Sequence, residues 1–194
     1  MRYLFLCFLG WSLTSCSGSG SSGDALFADG KFSEAIEAYT QELELSGNDE
    51  NIKYNRSRAY EENGQYQVAI KELNEILENN PRYVRAHLSL AKIAYTQENY
   101  AKSIMHANNG LDITETSKEA YLFKARSQHQ LGYMDLALAN YDRAISLDEE
   151  YGEAYLYRGA LKQSVGSPDA CADIKKAASL QIEGAKGIFE RYCE

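Results

Sequence analysis

The residues in this chain that could do chemistry are four cysteines, three histidines and scattered acidic pairs. His87, His106 and His129 stand in no spacing that would gather metal ligands, and Cys7, Cys16, Cys171 and Cys193 form no Cys/His quartet with them. Neither a metal nor another cofactor is expected. There is no Gly-rich phosphate loop, no nucleophile elbow and no H-E-x-x-H pair. Glu61-Glu62 and Asp148-Glu149-Glu150 fall at the ends of helical patterns and read as solvated charge. His87 falls on a helix face that packs and reads as a core residue. The expectation is a chain without catalytic residues, so function must lie in what its surface holds.

Composition narrows the classes. Of 194 residues, 44% are hydrophobic and 25% charged, which suits one globular or solenoid domain. Two prolines and 14 glycines leave most of the chain free to be helical, and 15 tyrosines suit half-buried helical faces. The formal net charge is −8. A surface of that sign repels polyanions and argues against nucleic acid as a partner.

The N-terminus reads as an address. Met1-Arg2-Tyr3 is a short positive start, and Leu4 to Leu13 is an apolar run too short to span a bilayer as a helix. Leu13-Thr14-Ser15-Cys16 resembles the lipobox of bacterial lipoproteins. That resemblance implies a signal peptide over 1–15, cleavage before Cys16 and acylation of its thiol and amine. Residues 16–23, with Ser17-Gly18-Ser19-Gly20-Ser21-Ser22-Gly23, would then be a flexible tether reaching ~15 Å. Ser17 after the cysteine resembles the outer-membrane-sorted class. The alternative is an ordinary secretory signal cut nearby, with Cys16 unmodified.

From residue 24 onward the chain repeats with a period of 34. Phe32, Tyr66, Tyr100 and Met134 form one set. Ala35, Ala69, Ser103 and Ala137 form a second, and Ile36, Ile70, Ile104 and Leu138 a third. Ser57, Ala91, Ala125 and Gly159 are small, which lets paired helices approach. Gly30, Gly64 and Gly132 recur where a helix must stop in a left-handed turn, with Glu98 in the odd slot. Within each frame apolar residues fall at helical spacing, so each reads as a helical hairpin. Gly64-Gln65-Tyr66-Gln67-Val68-Ala69-Ile70 and Gly30-Lys31-Phe32-Ser33-Glu34-Ala35-Ile36 resemble the tetratricopeptide repeat. The resemblance implies an all-α, right-handed α-solenoid over 24–181, divided as 24–49, 50–83, 84–117, 118–151 and 152–181. The first repeat is partial, and 182–194 reads as a capping helix with Ala185, Ile188, Phe189 and Tyr192 facing the stack. Gly110 replaces the usual Ala of the third repeat, and the fifth is one residue shorter at its turn.

Cys171 opens the second helix of the last repeat and Cys193 ends the capping helix. Both lie almost equally far from the turn near Gln181, so an antiparallel pair would set them side by side. They read as a disulfide, allowed in an exported protein; the alternative is two unpaired thiols.

In tetratricopeptide repeats the first helix of each pair lines the concave face. Two slots there recur every 34 residues. One holds Tyr54, Leu88, Leu122 and Leu156; the other, one turn on, holds Arg58, Lys92 and Arg126, then Ala160. An apolar row beside a basic row would accept a segment carrying apolar and acidic residues, with Tyr95, Phe123, His129 and Tyr157 adding contacts. The alternative is that these are ordinary exposed residues whose charges balance nearby acids. The function expected is a lipid-anchored scaffold of the bacterial cell envelope that binds other proteins. Its rivals are a lipid-anchored receptor for a small ligand or glycan, and an accessory subunit of a cell-wall or secretion enzyme complex.

Overall fold

The computed structural model describes residues 22–193, which form eleven helices and no strand. They are α1 (Ser22–Ala28), α2 (Phe32–Ser46), α3 (Glu50–Glu62), α4 (Tyr66–Asn79), α5 (Val84–Thr96), α6 (Tyr100–Ile113), α7 (Lys118–Gln130), α8 (Met134–Leu147), α9 (Gly152–Ser164), α10 (Ala170–Ser179) and α11 (Ala185–Tyr192). Cys7, Cys16 and the signal segment lie outside the described residues. Within them, no helix is long and apolar enough to cross a membrane.

The 34-residue period becomes five helical hairpins, α1–α2 through α9–α10, with α11 added at the end. Each helix packs on the next in sequence. The first helices also touch in turn, α3 with α5, α5 with α7 and α7 with α9, while successive second helices touch weakly at most. A stack whose first helices are the closer row curves toward that row, as a solenoid of hairpins does.

The turn chemistry explains the hairpins. Gly64 has φ +75°, its N–H donates to the Glu61 carbonyl, and the next N–H, Gln65, donates back to Tyr60. This pair of bonds ends a helix by satisfying its last carbonyls. The same two bonds recur at Gly30, Gly132 and Gly166. They recur also at Glu98 and Gln181, where a side chain is held at φ 59°. Between hairpins, Asp49 accepts from the Asn51 and Ile52 N–H groups and Ser117 from Ala120 N–H, each capping the helix that follows.

The recurring small residues are the seam. Ser57, Ala91 and Ala125 are fully buried, and a Cβ on Gly159 would come within 2.8 Å of Ile174. The fifth hairpin keeps the buried pattern one residue early: Ala170, Ile174 and Ala177 are buried where a strict period would place residues 171, 175 and 178. This matches the shorter turn.

Two details differ from the expected boundaries. Ser22 and Gly23, expected in the tether, are the first residues of α1, because Gly23 is buried under the Tyr39 ring and its N–H donates to Glu42. In α11, Ala185 is buried and Ile188 and Phe189 half-buried, but Tyr192 is 57% exposed. One turn of helix beyond Phe189, no other helix among the described residues covers it. Cys171 and Cys193 are joined as a disulfide, with Cα atoms 5.5 Å apart, tying α11 to α10.

Candidate protein-binding groove

Along the first-helix row run three connected depressions. Asp24, Phe27, Tyr39, Asn55 and Arg58 line the first, of about 150 Å³. The second, about 230 Å³, shares Arg58 and adds Tyr54, Glu61, Leu88, Ser89, Lys92 and Phe123 among its walls. The third and largest, about 480 Å³, shares Lys92 and Phe123 and reaches Tyr95, Tyr100, Arg126 and Glu153. The row thus forms one groove that reaches the first helices of all five hairpins.

The expected apolar row is only half presented to it. Leu88 and Leu156 are half-buried. Tyr54 and Leu122, at 8% and 1% exposure, belong to the core clusters. Tyr54 is covered by the next hairpin, with its ring 5.6 Å from Tyr83 and the Arg85 guanidinium 4.6 Å above it. Leu122 packs with Ala125, Tyr141 and Ala154. Both still line the groove, Tyr54 the second depression and Leu122 the third, but each presents little of its side chain there.

The basic row exists, and each of its members is held differently. Arg58 lies 4.7 Å over the Phe27 ring. Lys92 reaches back one hairpin to Glu61 at 2.7 Å and Glu62 at 2.8 Å. Glu61 is therefore not solvated charge: it is 6% exposed, burial pushes its carboxyl up, and Lys92 counters that push. Asp148 likewise pairs with Lys118, whose hydrogen bond holds its carboxyl below the usual range. Arg126 is sandwiched between Tyr95 and Tyr157, each ring centroid 4.2 Å away, with Phe123 at 6.0 Å. Three successive first helices thus meet at one guanidinium. Tyr100, Glu98, Glu153 and Ser89 line the groove without having been expected there; a pairing of residues 30 or 31 apart, as in Glu61–Lys92 and Glu62–Lys92, is the signal that links successive first helices.

His87 lies in the core as expected, whereas His129 is not among the residues that line the three depressions. His87 is buried and its Nε2 lies 3.2 Å from the Pro81 carbonyl, while its ring sits 6.1 Å from His106. His129 is half-buried one turn past Arg126, and burial lowers its pKa. Among the described residues no group of His, Cys, Asp and Glu could hold a metal ion.

A groove on the inner row of stacked helical hairpins defines an α-solenoid of the repeat class. Two family models, both described as tetratricopeptide repeat, match residues 54–117 and 118–151, and this chain carries tetratricopeptide repeats. The tetratricopeptide repeat and J domain-containing co-chaperone DNJ1 of Cryptococcus neoformans is 32% identical over 92 residues, 47% of this chain and 18% of its own length. The TPR repeat-containing protein YpiA of Bacillus subtilis is 25% identical over 131 residues, 68% of this chain and 31% of its own. The chain therefore spans less than a third of either relative. A thermophilic TPR protein of Thermus thermophilus shares the fold with a TM-score of 0.75 at 17% identity, covering 87% of this chain and 94% of that one.

Proposed function

We propose that this chain is a non-catalytic, protein-binding scaffold of the bacterial cell envelope, lipid-anchored through Cys16, that receives a segment of a partner protein along the first-helix groove. The observation that carries the reading is the continuity of the three depressions, lined by Phe27, Leu88, Phe123, Tyr95 and Tyr100 with cations between them. Aromatic and arginine side chains in a concave surface are the residues that anchor protein partners. Repeats of this family serve as protein-interaction scaffolds, and the co-chaperone relative is in keeping with that use. The anchor and the envelope location rest on the Leu13–Cys16 lipobox resemblance and on the apolar run before it.

The test is crosslinked affinity capture from native envelopes with wild type, Cys16→Ala and Phe123→Glu. Phe123 is half-buried and lines both larger depressions, so the charge should remove a partner while circular dichroism stays unchanged. Capture that survives Phe123→Glu in a folded protein would place binding elsewhere. Capture equal for Cys16→Ala and wild type would separate the scaffold from its anchor. Enrichment of no protein at all, together with saturable uptake of a small ligand or glycan into the 480 Å³ cavity, would favour the receptor reading.

A further inference from the structure

The three half-buried arginines among the described residues are Arg56, Arg126 and Arg158. Arg56 holds Glu72 at 2.5 Å. Arg158 holds Asp173 and Asp142 at 2.5 and 2.6 Å. Among the described residues, Arg126 pairs with no carboxylate. Its two faces are covered by Tyr95 and Tyr157, and its Nε is buried without an acceptor. Tyr141 lies within electrostatic reach of Arg126, Tyr95 and Tyr157; it is fully buried, and its hydroxyl has no partner either. The cavity that Arg126 lines is the largest on the groove.

A guanidinium with both faces stacked has only its edge left for ligands. That edge is a planar fork of N–H donors matched to a carboxylate. The rings hold the fork in place before any ligand arrives, which lowers the ordering cost of binding. Among the described residues the acids nearby do not fill it: Glu153, on the cavity wall, forms no ion pair with Arg126, and Glu61 and Glu62 are taken by Lys92. Glu98, also on the wall, forms no ion pair with Arg126.

Building on the groove reading, we infer that Arg126 is a preformed carboxylate subsite, and that the partner segment places one carboxylate on its edge and an apolar residue beside it against Phe123. Lys92, already neutralised, and Arg58, exposed on Phe27, contribute position and not selectivity. The carboxylate is a glutamate or aspartate side chain or a chain terminus.

The experiment follows the Arg126 Nε–Hε resonance by NMR in the folded chain. Three short leucine-flanked peptides are titrated: a blocked peptide with one glutamate, its blocked glutamine counterpart, and the glutamine peptide with a free C-terminal carboxylate. The expected result is that a carboxylate peptide moves the Arg126 signal and binds about tenfold or more tightly than the blocked glutamine peptide, the size of a charge-assisted bidentate contact. The arm that binds identifies the source. Arg126→Lys should lose most of that preference while keeping the charge, and thermal melts of it and of Arg126→Gln separate lost binding from lost folding. Equal binding of all three peptides overturns the subsite and leaves the groove intact. An unmoved Arg126 signal at millimolar peptide also overturns it, whatever the envelope capture shows.

Discussion

The third and the fifth hairpins share one geometry, yet their two helices are joined by opposite means. Between α5 and α6 the seam is apolar: Ala91 and Ala94 of α5 and Ala107 of α6 are buried, the His87 and His106 rings lie tilted 6.1 Å apart, and among the described residues no ion pair joins the two helices. Between α9 and α10 the seam is ionic. Asp173, at 7% exposure, accepts a fork from Arg158 at 2.8 and 2.5 Å and a third contact from Lys162 at 2.9 Å. Burial opposes the charge of Arg158, but Asp173 and Asp142 hold its pKa above the ordinary value. The difference follows from which residues stand at the seam and not from an inner or outer place in the stack: the second hairpin, with a neighbour on both sides, also carries a well-shielded pair, Arg56 with Glu72. The last hairpin has one full neighbour and a short cap, and it adds the disulfide to its ionic seam.

The largest effect should come from breaking the ionic seam. Asp173→Ala removes the buried carboxylate shared by half-buried Arg158 and Lys162, leaving Arg158 only Asp142, and removing one partner of such a cluster costs about 3–5 kcal/mol. Urea unfolding should show that loss, and amide exchange should place it in α10 and α11. A loss under about 1 kcal/mol would mean water already screens the cluster. Next in size is the staple. Cys171→Ser with Cys193→Ser opens a loop with a sequence separation of 22, which the chain-entropy model sets at ~3 kcal/mol. Exchange protection should fall in α11 first and leave α5 and α6 unchanged. Uniform loss of protection would show that the cap stabilises the whole stack.

A single substitution sharpens the comparison because it should change sign between the seams. At Gly110, in the interior of α6, an added Cβ would meet Leu88 at 3.6 Å, an ordinary contact. Gly110→Ala should gain about 1 kcal/mol from helix propensity. At Gly159 the same Cβ would meet Ile174 at 2.8 Å and the Ala170 carbonyl at 3.2 Å. Gly159→Ala should lose about 1–3 kcal/mol through overpacking. If both mutants melt at the wild-type temperature, the ionic seam is loose enough to move apart.

These seams also mark what could be read from residues alone. The hairpins were legible because Gly30, Gly64 and Gly132 occupy a left-handed turn that few residues other than glycine adopt, and because small residues return every 34 positions. The one-residue shift of the fifth hairpin was legible in its shorter turn, and the Cys171–Cys193 pairing in the counting of positions from that turn. The lining of the groove was not. Tyr54 and Leu88 share a slot, as do Leu122 and Leu156, yet their burial differs with the bulk on the next helix. Glu61 looked like solvated charge at a helix end until the stacking of α5 brought Lys92 onto it. A repeat period fixes what lies on each face, while the pairing across neighbouring first helices depends on contacts between residues a whole hairpin apart.

The smallest prediction concerns the turn of the apolar hairpin. Glu98 holds φ 59° in the slot where Gly64 and Gly132 stand, and it makes the same two backbone bonds through Tyr95 and Ala94. A side chain in that conformation costs roughly 1–2 kcal/mol. Glycine removes the cost but adds freedom to the unfolded chain, worth roughly 0.5–1 kcal/mol. Glu98→Gly should therefore gain only a few tenths to about 1 kcal/mol, read as a raised urea midpoint with an unchanged slope. Glu98 also lines the cavity beside Arg126, so its removal should strengthen carboxylate binding by taking one negative charge from the wall. A mutant less stable than wild type would show that the glutamate side chain holds the turn by contacts that outweigh its backbone strain.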